Sequence, residues 1–130
     1  MQMHHESRRQ DRIVVIIDDD PAVRNSLKFS LEIEGYAVSL YPDGAAALDS
    51  ADILLCACFV IDQNMPGMSG LEVVDRLRQR QISVPVILVT TDPSAAVRER
   101  AHRARVPIVE KPFLENALID NIRAAVGPAP

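Results

Sequence analysis

The sequence predicts an α/β fold, a doubly wound five-stranded parallel sheet with helices on both faces. Two observations carry this. Apolar runs rich in β-branched residues alternate with stretches of helical period, and the runs end on polar residues followed by Pro or Gly, as at Asp18-Asp19-Asp20-Pro21 and Asp62-Gln63-Asn64-Met65-Pro66-Gly67. Repeated βα units joined by right-handed crossovers require the strands to be parallel and the helices to cover both faces. With 130 residues, 48% of them hydrophobic, the chain has the material for one domain with a substantial core.

The first strand is Ile13-Val14-Val15-Ile16-Ile17, an unbroken run suited to a strand covered on both sides. Asp20 then caps a helix that opens at Pro21, carries Val23, Leu27 and Leu31 on one face and stops at Gly35. Tyr36 to Tyr41 forms a weakly patterned second strand, and Pro42-Asp43-Gly44 turns into a short helix from Ala45 that ends near Leu54. Phe59-Val60-Ile61 completes the third strand and delivers Asp62 to the sheet edge. Ser69 and Glu72 have capping-box spacing for a third helix, with Leu71, Val74 and Leu77 as its apolar stripe and Arg78, Gln79 and Arg80 at its end. Val84 to Val89 is the fourth strand, running into Thr90-Thr91, and Asp92-Pro93 repeats the cap-and-proline entry for a helix over about Pro93 to Ala104. That helix is arginine-rich and thinly anchored by apolar residues. Ile108-Val109-Glu110 is the fifth strand, and Leu114, Leu118, Ile122 and Val126 make the stripe of the last helix.

The domain is expected over residues 12–126, after a disordered lead over 1–11 and before a tail or linker stub at 127–130. A net charge of -4 leaves no electrostatic footprint for nucleic acid. No apolar run approaches the roughly 20 residues of a membrane span, and Met1 to Arg12 lacks the apolar centre of a signal peptide, so a cytoplasmic protein is expected. Cys56 and Cys58 have no metal-binding partners in sequence and read as reduced, partly buried thiols that strand alternation points to one face. His4, His5 and His102 have no ligand setting either.

These elements bring Asp18, Asp19, Asp62, Thr90 and Lys111 to one sheet edge, outside the carboxyl ends of the strands, where open α/β sheets bind ligands. Carboxylates crowded together cannot all stay ionised unless a cation intervenes, so the cluster predicts a divalent metal. With only a few oxygen ligands, Mg²⁺ is the natural candidate, keeping several waters and sharing its remaining positions between carboxylates and a phosphate. The site suits phosphoryl transfer to a carboxylate, and Asp62, projecting alone from its strand, is the expected acceptor. Singly these residues have plainer readings: a helix-capping cluster, a turn carboxylate, a strand-end hydroxyl and a surface lysine. Jointly those readings need four independent coincidences.

The same residues resemble a known family. Ile17-Asp18-Asp19-Asp20-Pro21, Asp62-Gln63-Asn64-Met65-Pro66-Gly67-Met68-Ser69-Gly70, Val89-Thr90 and Lys111-Pro112-Phe113 are similar, in order and placement, to the motifs of receiver domains of two-component response regulators, over about residues 12–126. The resemblance implies a flavodoxin-like (βα)5 sheet with strand order 2-1-3-4-5. It implies that Asp62 takes its phosphoryl group from a phosphohistidine of a sensor histidine kinase or phosphotransfer protein. Asp19 would be a direct Mg²⁺ ligand, Asp18 would act largely through water, and the backbone carbonyl of Asn64 would complete the set. Thr90 would bond the phosphoryl group, and Lys111 would pair with it, aimed by a cis bond to Pro112. The domain would be no enzyme acting on a separate substrate, but a phosphoacceptor assisting its own phosphorylation and dephosphorylation. Output would pass to an effector or a second copy through the face of helix four, strand five and helix five.

Three positions depart from the family's habit. Ile108 stands where receivers usually carry a rotating Phe or Tyr, Arg105 where a small residue or Gly is frequent, and Thr91 where Ala, Gly or Ser is common. Ile108 gives weight to a pseudo-receiver that signals without phosphorylation. An aspartyl-phosphate hydrolase would want a second carboxylate where Asn64 stands, and a flavodoxin-like cofactor binder a phosphate loop where three aspartates would repel phosphate. A stand-alone regulator and a piece of a longer protein are both compatible with the chain.

Overall fold

The computed structural model describes residues 13–111 and 115–127. The expected N-terminal lead, the Lys111-Pro112 bond, Phe113, the start of the last apolar stripe at Leu114, and residues 128–130 lie outside that range. Within it, the chain runs β1 (Ile13–Ile17), α1 (Pro21–Ile33), β2 (Ala37–Tyr41), α2 (Gly44–Leu48), a 3₁₀ turn (Ala51–Leu54), β3 (Cys58–Asp62), α3 (Gly70–Gln79), β4 (Val86–Thr90), α4 (Ala95–Arg103), β5 (Ile108–Glu110) and α5 (Glu115–Val126). All five strands are parallel, in the order β2-β1-β3-β4-β5.

Alternation along the central strands divides the core in two. Val15, Ile17, Phe59, Ile61, Val86 and Leu88 point to the face covered by α2, α3 and α4. Val14, Ile16, Val60, Ile87 and Val89 point to the face covered by α1 and α5, through Leu27, Leu31, Leu118 and Ile122. Both faces being covered explains why these strands read as continuous apolar runs.

The helix starts follow their capping residues. Asp20 accepts from the Ala22 amide with Pro21 at the first helical position, Asp43 accepts from Ala46, and Ser69 with Glu72 forms the complete capping box. Three expectations need correction. The short second helix stops at Leu48, and Ser50 caps a separate 3₁₀ turn that ends at Leu54. Helix α4 is capped by Ser94, not Asp92: Ser94 accepts from the Val97 amide, while Asp92 sits at φ 46°, outside the extended conformation of an N-cap. Cys56 and Cys58 pack on opposite faces, because β3 begins only at Cys58 and strand alternation does not reach Cys56.

Ala101 is the one fully buried residue of α4 and Val97 packs half-buried against the same core, so the arginine-rich helix has few apolar anchors. Its arginines are instead tied laterally, Arg98 to Glu110, Arg100 to Asp75 and Arg103 to Glu99.

Candidate functional site

Parallel register sets which residues share an edge. Ile17 lies beside Ile61, Asp62 beside Val89 and Thr90 beside Glu110, so Asp18, Asp62, Thr90 and Lys111 all emerge at the carboxyl ends of their strands. Backbone bonds fix each one. The Asp18 amide donates to Tyr41 O at 3.2 Å, the Gln63 amide to Val89 O at 2.8 Å and the Lys111 amide to Thr90 O at 2.8 Å. Asp18, Asp62 and Thr90 are buried, while Asp19 is exposed at the rim.

The carboxylates converge as expected. Asp18, Asp19 and Asp62 each offer an oxygen, and these atoms lie within 4.8 Å of one another. Lys111 Nζ stands 3.3 Å from Asp18 Oδ2 and 3.4 Å from Asp62 Oδ2. One ammonium therefore serves two buried carboxylates. Burial and then the Asp18 charge push the Asp62 carboxyl above its usual range, against the pull of Lys111 and of the Asn64 amide. For Lys111, burial favours loss of the proton, but Asp18 and Asp62 outweigh it and the ammonium is held above its ordinary value. The two shifts agree: the lysine stays charged and Asp62 remains under-compensated.

A second layer of contacts was not legible as such. Arg24, from the first turn of α1, donates from Nη1 to Asp18 O at 2.7 Å, and the Asp20 amide donates to Asp18 Oδ1 at 2.9 Å, so the acidic turn is held from both sides. Gln63, which in the sequence is only an uncharged neighbour of Asp62, is buried and accepts from the Leu71 amide through Oε1 at 2.8 Å. It thereby satisfies one of the free amides at the start of α3. Gly70 is required at the same junction, since a Cβ there would lie 2.7 Å from Asp62 O and 2.8 Å from Leu88 Cδ1. Asn64 makes two contacts, its amide donating to Asp62 Oδ1 at 3.2 Å and its side-chain Nδ2 to Thr90 Oγ1 at 3.1 Å. The Gly closing a Pro/Gly-containing loop was the available signal for the α3 junction; the two side-chain bonds depend on loop conformation and leave none.

The donor set fits a hard divalent cation. Its side-chain donors are the carboxylates of Asp18, Asp19 and Asp62, with negative charge that one lysine does not offset. Of the departing positions, Ile108 is half-buried against the core, Thr91 is exposed, and Arg105 adopts φ 59°, the left-handed conformation that favours glycine.

Comparison with known proteins points the same way. A family model described as the response regulator receiver domain matches residues 14–123. The transcriptional regulatory protein FixJ of Azorhizobium caulinodans is 40% identical over 115 residues, which cover 88% of this chain and 54% of that protein. FixJ of Bradyrhizobium diazoefficiens is 34% identical over 117 residues, 89% of this chain and 57% of that protein. The crystal structure of FixJ-N superposes with a TM-score of 0.80 at 33% identity, covering 89% of this chain and 94% of that one. Vibrio cholerae chemotaxis protein CheY4 superposes with a TM-score of 0.81 at 25% identity, covering 88% and 98%. The chain spans little more than half the length of the FixJ proteins it matches. No helix among the described residues is long and apolar enough to cross a membrane.

Proposed function

The chain belongs to the response regulator receiver domain family, and from that premise we propose that it accepts a phosphoryl group on Asp62 from a phosphohistidine of a partner kinase or phosphotransfer protein, with Mg²⁺. The observation that carries the reading is the acidic cluster at the strand ends, three carboxylates within 4.8 Å with Lys111 reaching two of them. Asp19 would hold the cation directly, Asp18 largely through water, and Asp62 and the Asn64 backbone carbonyl would complete the protein ligands. The chemistry Mg²⁺ supplies there when bound is neutralisation of the charge gathering on the phosphoryl oxygens.

The chain's own residues do the rest. Ionised Asp62 forms a new P–O bond through one carboxylate oxygen as the donor's P–N bond breaks, the electron pair returning to the imidazole nitrogen. Lys111, already beside Asp62, then pairs with a phosphoryl oxygen, and the Thr90 hydroxyl donates to another. The domain is thus a phosphoacceptor that assists its own phosphorylation and dephosphorylation, and its charge change biases a two-state surface. Helix α4, β5 and α5 form the proposed output face toward an effector or a second copy. With an aliphatic Ile108 packed against the core, that output runs by packing rather than by a rotating aromatic. The reading carries a cytoplasmic setting, and the net charge of -4 supports no direct nucleic-acid contact by this domain.

Incubation with acetyl phosphate, with and without Mg²⁺, tests the reading by intact mass. Uptake of one phosphoryl group only when Mg²⁺ is present is expected. Failure of the folded protein to gain mass from either acetyl phosphate or a phosphorylated histidine donor would return the chain to an interaction module that signals without phosphorylation.

A further inference from the structure

We infer that Asn64 is a positioning residue for Thr90, its side-chain amide holding the buried hydroxyl so that the hydroxyl's single proton is left for an acceptor arriving on Asp62. The inference rests on the proposed role of Asp62 and deepens it. Its basis is the 3.1 Å bond from Asn64 Nδ2 to Thr90 Oγ1, made at a threonine only 1% exposed. An amide nitrogen can donate and cannot accept, whereas a hydroxyl carries one proton and two lone pairs. The Asn64 bond therefore fills an acceptor position of Thr90 without using its proton.

Asn64 is itself tied to the acceptor, its backbone amide donating to Asp62 Oδ1 at 3.2 Å. One residue thus touches the acceptor carboxylate through its main chain and the hydroxyl through its side chain. The link spans from the loop after β3 to the last residue of β4, one residue beyond the bond from the Gln63 amide to Val89 O, so it ties side chains at strand ends whose backbones the sheet already aligns. The aliphatic side chain of Ile108 has no polar atom with which to bond a hydroxyl. Removal of the amide leaves the hydroxyl free to rotate and turns its proton away from the phosphoryl group for part of the time.

The test is a double-variant cycle of wild type, Asn64→Ala, Thr90→Val and the double variant, each given Mg²⁺ and acetyl phosphate, with the initial rate of uptake read by intact mass. Asn64→Ala is expected to slow uptake roughly two- to tenfold, the worth of one hydrogen bond, and to add nothing in the Thr90→Val background. An equal effect in both backgrounds, or none in either, overturns the inference, since Asn64 would then act independently of Thr90 or not at all. If wild type itself takes up nothing, the proposed function fails, and the positioning is read instead in the unphosphorylated protein. There the Thr90 γ-methyl carbon shift should move in Asn64→Ala toward its rotamer average; an unchanged shift overturns the inference.

Discussion

Asp62 sits among groups that oppose its ionisation more than they favour it, because burial and the Asp18 charge outweigh the pull of Lys111. A carboxyl held above its ordinary 3.8 takes up a proton on folding, so its contribution to stability is greatest below that value and falls as pH rises through the raised one. The melting temperature of the metal-free protein should therefore decline across this window relative to Asp62→Asn, with Asp62→Asn the more stable of the two at neutral pH. Parallel curves would show that Asp62 is fully compensated without a cation. Lys111→Ala should leave Mg²⁺ titration largely intact while slowing phosphoryl uptake by about a hundredfold, the loss expected for a charge aimed at developing oxyanions; uptake at the wild-type rate removes Lys111 from the mechanism. The charged and hydroxyl residues of the site were legible because each is a polar residue that interrupts or follows an apolar run. The contacts of Arg24, Gln63 and the Asn64 side chain were not, since they depend on how loops fold back on the strand ends.

At the scale of elements, three helices end in the same way and only one of them announces it. Gly35, Gln81 and Arg105 all take positive φ after α1, α3 and α4, with the following Tyr36, Ile82 and Val106 bonded back to Leu31, Leu77 and Ala101. These are Schellman motifs, each with its two bonded residues buried in the same half of the core. Glycine marks the first, whereas Gln81 and Arg105 carry the left-handed conformation with a side chain attached, and only the apolar residue after each was there to read. Arg105→Gly should consequently stabilise the fold by about 0.5 kcal/mol, the left-handed penalty removed less the entropy a glycine adds to the unfolded chain, as checked by urea unfolding. A destabilised variant would mean that the Arg105 side chain contributes more than its backbone costs. The start of α4 misled for a related reason: Asp92-Pro93 copies Asp20-Pro21 in sequence, but Ser94 is the residue placed to cap. Ser94→Ala should cost about 1 kcal/mol, felt as faster amide exchange in α4, whose apolar anchors are Ala101 and the half-buried Val97.

Across the whole molecule, the sheet order and the two-sided core follow from apolar runs that suit strands covered on both faces, which is why the architecture was legible before any contact was known. Cys56 and Cys58, each buried in a different half of that core, have thiols pushed up to about 12 by burial. Both should resist thiol reagents at neutral pH in the native protein and react once it is unfolded in urea. Fast labelling of either in the native state would show the two-sided packing to be looser than described. The same architecture delivers Asp18, Asp62, Thr90 and Lys111 to one edge without any long loop, each at the end of its strand or one residue beyond it. The most direct test of its role is to phosphorylate the protein with acetyl phosphate and Mg²⁺, reduce it with borohydride, and sequence the peptides by mass spectrometry. An acyl phosphate is reduced where a free carboxylate is not, so homoserine should appear at position 62 alone. Its appearance at Asp18 or Asp19, or its absence at 62 in protein that has gained a phosphoryl group, would contradict the account.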